Sequence, residues 1–428
     1  MSGIRVNEWL HNSGTGGIWQ TSAGNVGIAS SVPTTKLEVT GDAKISGVST
    51  AAAFIPAAGQ LSNRNLVING DFTIAQRSTA TSTSSGYYTV DRFRSSYGGT
   101  DEAPTYGQHS LTSADTGPWE KGFRKSFHVT NGNQTSGFQA GSYVNILYYA
   151  EAQDIAQSGW NYASDTSYIT VSYWARSSVA QNFYHGMSTH DGTGQWYPWE
   201  TGTLSANTWT YITKTIPGNS NITINNDNGA GLTLTFSMPG YGTNFTTSGR
   251  ALNTWAEYTG SQRSPDVPSA TWYTTNDATF EITGVQLEVG TVATPFEHRS
   301  FGDQLARCRR YYYDYMYQES SNQYGTTNAN RSLGVVIGWS ATEVDHPVKF
   351  PTPMRAIPSL DQTGGANYVQ IEGGGASSTY VDGTWTLQFG NVNGCNLYAT
   401  PDTNVTAGNI YHGVVRNAAM KLAFSAEF

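Results

Sequence analysis

The stretch "HDGTGQWYPWE", residues 190–200, places three large aromatic side chains beside polar ones after a glycine-rich turn. Flat aromatic rings can stack on the C–H faces of sugar rings, and nearby Asp or His side chains can hydrogen-bond sugar hydroxyls. Because aromatic residues make up 13% of the chain, the same rings could instead fill a core or a subunit contact. The candidate glycan-binding residues are Trp196, Tyr197, Trp199, His190 and Asp191.

The same stretch contains acidic side chains, which raise the question of catalysis. Glycoside hydrolysis needs two carboxyl groups at a defined separation, one of them with a raised pKa. His190, Asp191 and Glu200 could contribute to such a site, but nothing in their spacing indicates either condition. We interpret them as solvated loop charges. The sequence therefore predicts a non-enzymatic protein without catalytic residues.

A second polar group, in "EVDHPVKF", combines residue types that bind metal ions. Glu343, Asp345 and His346 could ligate a metal, but three such residues at a strand end are more often surface polar groups. We therefore predict no metal there and no cofactor. The two cysteines, Cys308 and Cys395, form no metal-binding motif. Two free buried thiols are the favoured interpretation, and a single disulfide stays open.

Charge limits the partners that the chain can have. The net charge is −8, and charged residues are 13% of the chain, about half of the usual ~25%. Nucleic-acid binding needs more clustered positive charge than Arg307, Arg309 and Arg310 supply, so we expect these arginines to pair with acidic neighbours or to stack on tyrosines. No apolar run reaches the ~20 residues of a membrane span, and the N-terminus lacks the apolar core of a signal peptide. We expect no nucleic-acid partner, no membrane insertion and no Sec-dependent export.

The elements that must position these residues are mostly strands. Abundant Tyr, Trp and Thr, together with Gly-rich turns, favour short strands and an all-β fold. Residues 65–298 predict one jelly-roll-like β-sandwich, and residues 330–428 predict a compact C-terminal β domain. The hydrophobic pattern changes phase at Thr283-Gly284, as it would at a β-bulge. The strand candidates within the sandwich are 168–176, 208–216, 232–238 and 279–289.

Residues 1–64 have a different pattern from the rest of the chain. Gly or Pro every few residues separates pairs of apolar side chains, and each implied strand is too short to bury a face alone. Such a segment is stable only if identical copies wrap around one another or if it docks on a larger body. The apolar pairs are Val26 and Ile28, Leu37 and Val39, and Ile45 and Val48.

One helix is predicted between the two β regions, within residues 299–329. Ser300 and Asp303 have the spacing of a helix-capping box, with Asp in place of the usual Glu. Four further residues follow at spacings of three, four and three, so they would form one stripe of a helix. We predict that this stripe packs against copies of itself about a three-fold axis or against a sheet. The residues of the stripe are Leu305, Cys308, Tyr312 and Tyr315.

Several segments together resemble a family of bacteriophage tail-fibre proteins, common in phages of marine bacteria and cyanobacteria. They are "NLVINGDFTIAQRS" (65–78), "YTVDRFR" (88–94), "GVQLEVGTVATPFEHRSFGDQLARCRRYYY" (284–313) and "FPTPMRAIPSL" (350–360). The N-terminal "GNVGI" and "PTTKLEVTGDAKISG" resemble shaft repeats of phage fibres. The resemblance implies a homotrimeric virion appendage, assembled in the host cytoplasm, with residues 1–64 as its attachment and shaft segment. It implies a host-facing tip at 330–428 and no enzymatic activity.

The sandwich also looks like jelly-roll carbohydrate-binding modules. Those modules often open with an "N-x-x-F" strand, here Asn69 to Phe72, and close with an acidic last strand, here including Glu288. In them a structural calcium often lies between these strands, which would place it near Asp71 and Glu288. The likeness is one of fold and implies no particular ligand.

The sequence as a whole predicts a structural virion fibre that recognises a host-surface glycan by weak, multivalent binding. Its expected partners are further copies of itself, other tail or capsid proteins through the N-terminus, and the host glycan. Two alternatives stay open. One is a glycan depolymerase on the same appendage, and the other is a purely structural fibre or decoration protein that binds no receptor.

Overall fold

The chain forms an all-β structure that divides into two compact units, Met1–Pro56 and Ala57–Phe428. Among the described residues, no helix is both long and apolar enough to cross a membrane. The computed structural model describes residues 8–10, 17–40, 62–266, 270–316, 331–373 and 378–428.

The N-terminal unit contains one sheet of four very short strands, in the order β1-β2-β3-β4. The first three strands pair antiparallel, and β4 lies parallel to β3. The pairs Val26/Ile28 and Leu37/Val39 form strands as predicted, whereas Ile45 and Val48 lie outside the described residues. Leu37 is 62% exposed, so this small sheet leaves apolar surface uncovered within the unit. The strands are β1 (Glu8–Leu10), β2 (Gly17–Gln20), β3 (Val26–Ile28) and β4 (Leu37–Val39).

The second unit begins with the predicted β-sandwich. Its strands are β5 (Phe93–Gly98), β6 (Thr105–Ser110), β7 (Lys125–Thr130), β8 (Tyr143–Glu151), β9 (Tyr168–Ser177), β10 (Gln181–Thr189), β11 (Gln195–Leu204), β12 (Thr210–Pro217), β13 (Ala230–Tyr241), β14 (Ala256–Glu257) and β15 (Thr279–Val289). Two short helices, α1 (Ala152–Ala156) and α2 (Thr271–Thr274), lie in the connections. All four strand candidates are confirmed, as β9, β12, β13 and β15.

These strands form two antiparallel sheets with the core between them. One sheet has six strands in the order β14-β11-β10-β13-β8-β5, and the other has five in the order β12-β9-β15-β7-β6. Strand periodicity sends alternate side chains into the core, where Tyr173 of one sheet packs edge-on against Phe236 of the other at 5.0 Å between ring centroids. The opposite side chains of each strand face outward.

The predicted bulge in β15 is confirmed. The pairing of β15 with β9 shifts register between Thr283 and Gln286, and Gly284 has a φ of 65°. Glycine suits this position for a second reason, because a Cβ atom there would lie 2.6 Å from the Phe123 ring. The bulge therefore changes which side chains of β15 face the core.

The predicted helix is present, but it is too short to include all four residues of the predicted stripe. It is α3 (Phe301–Arg309), and the Ser300 hydroxyl accepts a hydrogen bond from the Asp303 amide at 3.3 Å, as the capping box predicts. Leu305 is half-buried and Cys308 is buried on this helix. The prediction that Tyr312 and Tyr315 continue its stripe is wrong. The chain leaves the helix before them, because Tyr312 pairs as a strand with Ser425 and the Tyr315 amide bonds the carbonyl of Leu422.

The C-terminal part contains a three-stranded sheet, β16-β25-β19, and a seven-stranded sheet, β21-β20-β24-β17-β18-β23-β22. Its first strand begins at Tyr312, within the range 299–329 predicted for the helical joint; residues 317–330 lie outside the described residues. Cys308 and Cys395 are both free and buried. The strands are β16 (Tyr312–Asp314), β17 (Arg331–Ser340), β18 (Glu343–Lys349), β19 (Ser359–Thr363), β20 (Val369–Glu372), β21 (Thr379–Val381), β22 (Thr386–Asn391), β23 (Gly394–Ala399), β24 (Ile410–Val415) and β25 (Lys421–Ser425).

A buried network of charges joins the C-terminal sheets to the sandwich. The Arg92 side chain is fully buried, donates to the Glu427 carboxylate and to the Tyr149 carbonyl, and lies 3.3 Å above the Tyr311 ring centroid. Next to it, Arg310 donates two hydrogen bonds of 2.7 Å to the carboxylate of Glu151. Arginine suits such sites because its planar guanidinium bonds a carboxylate and stacks on a ring at once.

We expect Glu427→Gln to lower the free energy of unfolding by about 3–5 kcal/mol, because it leaves the buried Arg92 without its full counter-charge. The matched control is Glu372→Gln, which removes an ion pair with Arg416 whose side chains are 40% and 34% exposed. That variant should lose no more than about 1 kcal/mol. Urea unfolding followed by tryptophan fluorescence measures both. Equal losses in the two variants would contradict the structural role of the network.

Candidate functional site

The sequence-predicted aromatic residues lie on β11 but face opposite sides of its sheet. Tyr197 and Trp199 point into the core, where their side chains are 3% and 1% exposed. The Trp199 indole NH donates to the Tyr173 hydroxyl at 3.3 Å, so its polar atom is also used inside the sandwich. These two rings fill the core and are unavailable to a ligand. Trp196 is the one of the three that faces the outer surface of the sheet, although it is itself only 2% exposed.

The structure brings Trp196 and His190 into one groove on that outer surface. The groove has a volume of about 500 Å³, which falls within the usual range of roughly 300–1,000 Å³ for ligand sites. Asp191 is not among its lining residues; its carboxylate accepts two hydrogen bonds of 2.8 Å from Asn225. Glu200 bonds Asn182 instead, so the two candidate carboxylates of a hydrolase have separate partners.

Two rows of side chains that cross the sheet form the floor of the groove. Pairing of neighbouring strands places residues of β11, β10, β13 and β8 side by side, and β5 extends the second row. The rows alternate with inward-facing rows because the side-chain period of a strand is two. The first row is Trp196, Ser188, Thr233 and Tyr149, and the second is Pro198, Gly186, Thr235, Leu147 and Arg94.

Small side chains in the middle of these rows keep the floor low. A Cβ atom at Gly186 would lie 2.2 Å from the Trp196 indole, so the indole occupies the space above this glycine. The Trp196 indole NH donates to the carbonyl of Arg263 at 2.8 Å, which fixes the ring in this position. Ser188 and Thr235 leave polar hydroxyl groups along the floor. The result is a shallow channel with hydrogen-bonding groups at its base.

Aromatic rings form the walls. Tyr143 packs edge-on against Phe245 at 5.6 Å between ring centroids, and Tyr258 packs against Trp196 at 6.0 Å. Near the other end, Tyr149 lies 5.9 Å from the His190 ring. Tyr258 is 38% exposed, so part of its side chain remains accessible to solvent beside the groove.

The charge of the groove is opposite in sign to that of the whole chain. Arg94 and Arg263 line it, and its described lining residues include no Asp or Glu. Burial lowers the pKa of His190, so its imidazole is neutral near pH 7. The His190 ring nitrogen Nε2 lies 2.6 Å from the Thr233 hydroxyl, which fixes the ring orientation. Two guanidinium groups therefore line the groove in a chain of net charge −8.

Most lining residues of the groove were not found from the sequence. Tyr143, Tyr149, Tyr258, Arg94 and Arg263 come from loops and strands up to 169 positions apart in the numbering, and no short motif links them. Strand alternation alone separates Trp196 from Tyr197 and Trp199. The sequence signal that could have been used is therefore the alternation of inward and outward side chains within "QWYPWE". This alternation identifies one groove residue, Trp196.

Asp71 and Glu288, the residues predicted to lie near a calcium ion, accept hydrogen bonds from other side chains and from the backbone. The Asp71 carboxylate accepts a hydrogen bond from the Thr73 hydroxyl at 3.1 Å, and burial raises its pKa. The Glu288 carboxylate accepts from the amide and the hydroxyl of Thr294 and from Gln286. Within the described ranges, neither belongs to a group of three or more His, Cys, Asp or Glu ligands that could share one ion.

A second cavity lies on the outer face of the five-stranded sheet and has a volume of about 370 Å³. Aromatic and other apolar side chains dominate its lining, among them Trp174, Tyr211 and Phe296. It offers fewer polar groups for a hydroxyl-rich ligand than the groove does. We therefore take the groove as the candidate binding site.

Comparison with known proteins gives likenesses of fold only. No protein-family model matches the chain, and no curated protein matches it. The enzymatically active domain of bacteriophage CBA120 tailspike protein 4 shows 12% identity and a TM-score of 0.28, over 53% of this chain and 21% of that one. A putative sugar binding protein from Bacteroides thetaiotaomicron shows 7% identity and a TM-score of 0.28, over 53% and 100%.

A family 11 carbohydrate-binding module from Clostridium thermocellum, in complex with a mixed-linked tetrasaccharide, shows 12% identity and a TM-score of 0.24, over 47% of this chain and 91% of that one. The chain thus spans about a fifth of the tailspike chain. Because these TM-scores and identities are low, they carry no argument about function. The function is argued from the groove itself.

We expect Trp199→Ala to lower the free energy of unfolding by about 3–5 kcal/mol, because it removes a fully buried ring from the core. Tyr258→Ala removes a wall of the groove that is partly exposed, and should change stability by no more than about 1 kcal/mol. Chemical denaturation of the two variants compares them. A large loss from Tyr258→Ala would show that the groove wall is a structural element.

Proposed function

We propose that this protein is a non-enzymatic glycan-binding protein and that the groove on the six-stranded sheet is its binding site. The observation that carries the proposal is the combination of a hydroxyl-lined floor with aromatic walls. Sugars present C–H faces that stack on rings and hydroxyl groups that need hydrogen-bond partners. Tyr143, Tyr149 and Tyr258 supply rings, and Ser188 and Thr235 supply hydroxyls.

The charge of the groove supports an acidic glycan as its ligand. Arginine binds a carboxylate or a sulfate through paired, charge-assisted hydrogen bonds. Arg94 lies on the floor at one end of the second row and makes no ion pair with a described residue. No lining carboxylate repels an acidic sugar, so a uronic acid or a sulfated sugar fits better than a neutral one.

Binding without hydrolysis is the better-supported activity. Glycosidases place two carboxyl groups beside the scissile bond as acid and nucleophile or base. The described lining residues of the groove contain no carboxyl group, and Asp191 and Glu200 bond asparagine side chains elsewhere. The groove therefore lacks the groups that this chemistry needs.

We further propose that the protein acts as a virion appendage that recognises a host surface. The tail-fibre resemblance of residues 65–78 and 284–313 supports this role, as does the polar, weakly charged composition. A shallow groove gives weak binding per site, because many of its polar groups stay solvated. Three copies per fibre would raise the total affinity without new contacts.

Binding to an array of neutral and acidic bacterial polysaccharides tests the proposed site. We expect acidic glycans to bind and their affinity to fall with added salt, because charge pairs at an open groove are screened. Tyr258→Ala should weaken binding about tenfold, which corresponds to ~1.4 kcal/mol and to the loss of one stacked ring. Arg94→Gln should weaken binding of acidic glycans selectively.

The control is Tyr211→Ala, which removes a tyrosine that is 43% exposed on the other sheet and should leave binding unchanged. Binding of neutral glycans alone would contradict the acidic ligand but keep the site. Absence of any glycan binding would contradict the proposed function. Release of new reducing ends from a bound polysaccharide by the pure protein would favour a depolymerase.

Trimerisation is tested separately, by light scattering of the full chain. We expect three times the chain mass, because the strands of the N-terminal unit are too short to cover their apolar side chains alone. If the N-terminal unit makes the contacts between copies, removal of residues 1–56 should lower the measured mass below that of three copies. A stable monomer of the full chain would contradict the fibre assembly.

A further inference from the structure

On the outer face of the five-stranded sheet, two histidines and one glutamate converge. His109 lies on β6, His128 on β7 and Glu281 on β15, and these three strands are neighbours in the sheet. Their potential ligand atoms all lie within 4.8 Å of one another. This cluster is on the opposite sheet from the glycan groove and has no part in the function proposed above.

We propose that His109, His128 and Glu281 form a binding site for a divalent transition-metal ion of the zinc type. Two imidazole nitrogens and one carboxylate oxygen are a ligand set that Zn²⁺ accepts, with a fourth position left to water. Calcium and magnesium prefer sites made of oxygen ligands, so they should not occupy this cluster.

The distances within the cluster fit a shared ion. Bonds of about 2.0–2.1 Å in a tetrahedral site place neighbouring ligand atoms roughly 3.3 Å apart. Here His109 Nδ1 lies 3.1 Å from Glu281 Oε2, and His128 Nδ1 lies 3.3 Å from Glu281 Oε1. These two separations are therefore close to the required one before any ion binds, although they involve different oxygens of Glu281, and the three ligand atoms all lie within 4.8 Å of one another.

The surroundings hold these ligands in place. The other ring nitrogen of His128 lies 3.0 Å from the Thr130 hydroxyl, a contact of the kind that orients metal-binding imidazoles. The Ser126 hydroxyl donates to Glu281 at 2.6 Å. Arg176 also donates to Glu281, at 2.6 Å, but its charge is shared with Asp115 through a second contact of 2.7 Å.

Access and position favour a structural ion. The His109 side chain is 48% exposed, so an ion can enter from solvent, whereas the Glu281 side chain is 3% exposed. The strand that carries His109, β6, is at the edge of the sheet, and Glu281 lies two strands inward. An ion bound to all three residues would tie this edge strand to the centre of the sheet. An ion bound at His109 Nδ1 displaces any proton that this nitrogen carries.

Isothermal titration of the full chain, without a histidine tag and at about pH 7.5, with ZnCl₂ tests the site. We expect one ion per chain and a rise in melting temperature with added zinc, because the folded state binds the ion preferentially. His109→Gln and His128→Gln should each weaken binding by about tenfold or more, since loss of even a supporting residue costs that much. Co²⁺ should give the absorption of a tetrahedral site, and both variants should lose it.

The matched control is His412→Gln, which changes another exposed histidine, bonded to Ser332 on a different sheet. It should bind zinc as the unchanged chain does. CaCl₂ should give no heat at this site. Wild-type zinc affinity in His109→Gln, or the absence of binding by the unchanged chain, would overturn the proposal. Circular dichroism of each variant confirms that loss of binding does not reflect loss of folding.

Discussion

The buried ion pair between Arg92 and Glu427 is the constraint on which the arrangement of the second unit depends. Moving a guanidinium out of water costs several kcal/mol unless its partners compensate, so every partner must be in position at once. The partners of Arg92 include the Glu427 carboxylate, the Tyr149 carbonyl and the Tyr311 ring. These come from β8, the segment after α3 and the segment after β25, and the network therefore fixes three parts of the chain relative to one another.

The backbone conformation of Arg92 indicates that the surrounding structure restrains this residue. Its φ is 72°, in a region that residues other than glycine seldom adopt. Such a conformation persists only where the surroundings hold it, and here the buried side chain provides that restraint. Glu427 is in turn held by Arg77 and by the guanidinium of Arg355, which donates to its carbonyl at 2.9 Å. The Glu427 carboxylate is thus contacted by two arginines, Arg92 and Arg77, rather than by one.

The same network lies beside one end of the groove. Tyr149, whose carbonyl accepts from Arg92, stacks on the Phe428 ring at 5.6 Å between centroids and presents its own ring to the groove. Arg94, two residues after Arg92, lies in the second row of the groove floor. The buried pair therefore contacts Tyr149, which lies at one end of the groove.

The all-β class, four of the eleven sandwich strands, the Gly284 bulge and the Ser300 cap could be predicted from the sequence, because alternation and turn chemistry act over a few residues. Prediction from the sequence failed where contacts with residues distant in the chain determine the structure. Tyr312 has helical spacing from Cys308, but pairing with Ser425 makes it a strand residue. Trp199 and Trp196 have the same residue type, yet only the position of the second sheet places Trp199 in the core and Trp196 in the groove floor. The groove rows and the His109, His128 and Glu281 cluster exist only through non-local strand pairing, which no local pattern encodes. The composition of both sites therefore depends on the tertiary structure, because strand register and sheet order determine which distant side chains come together.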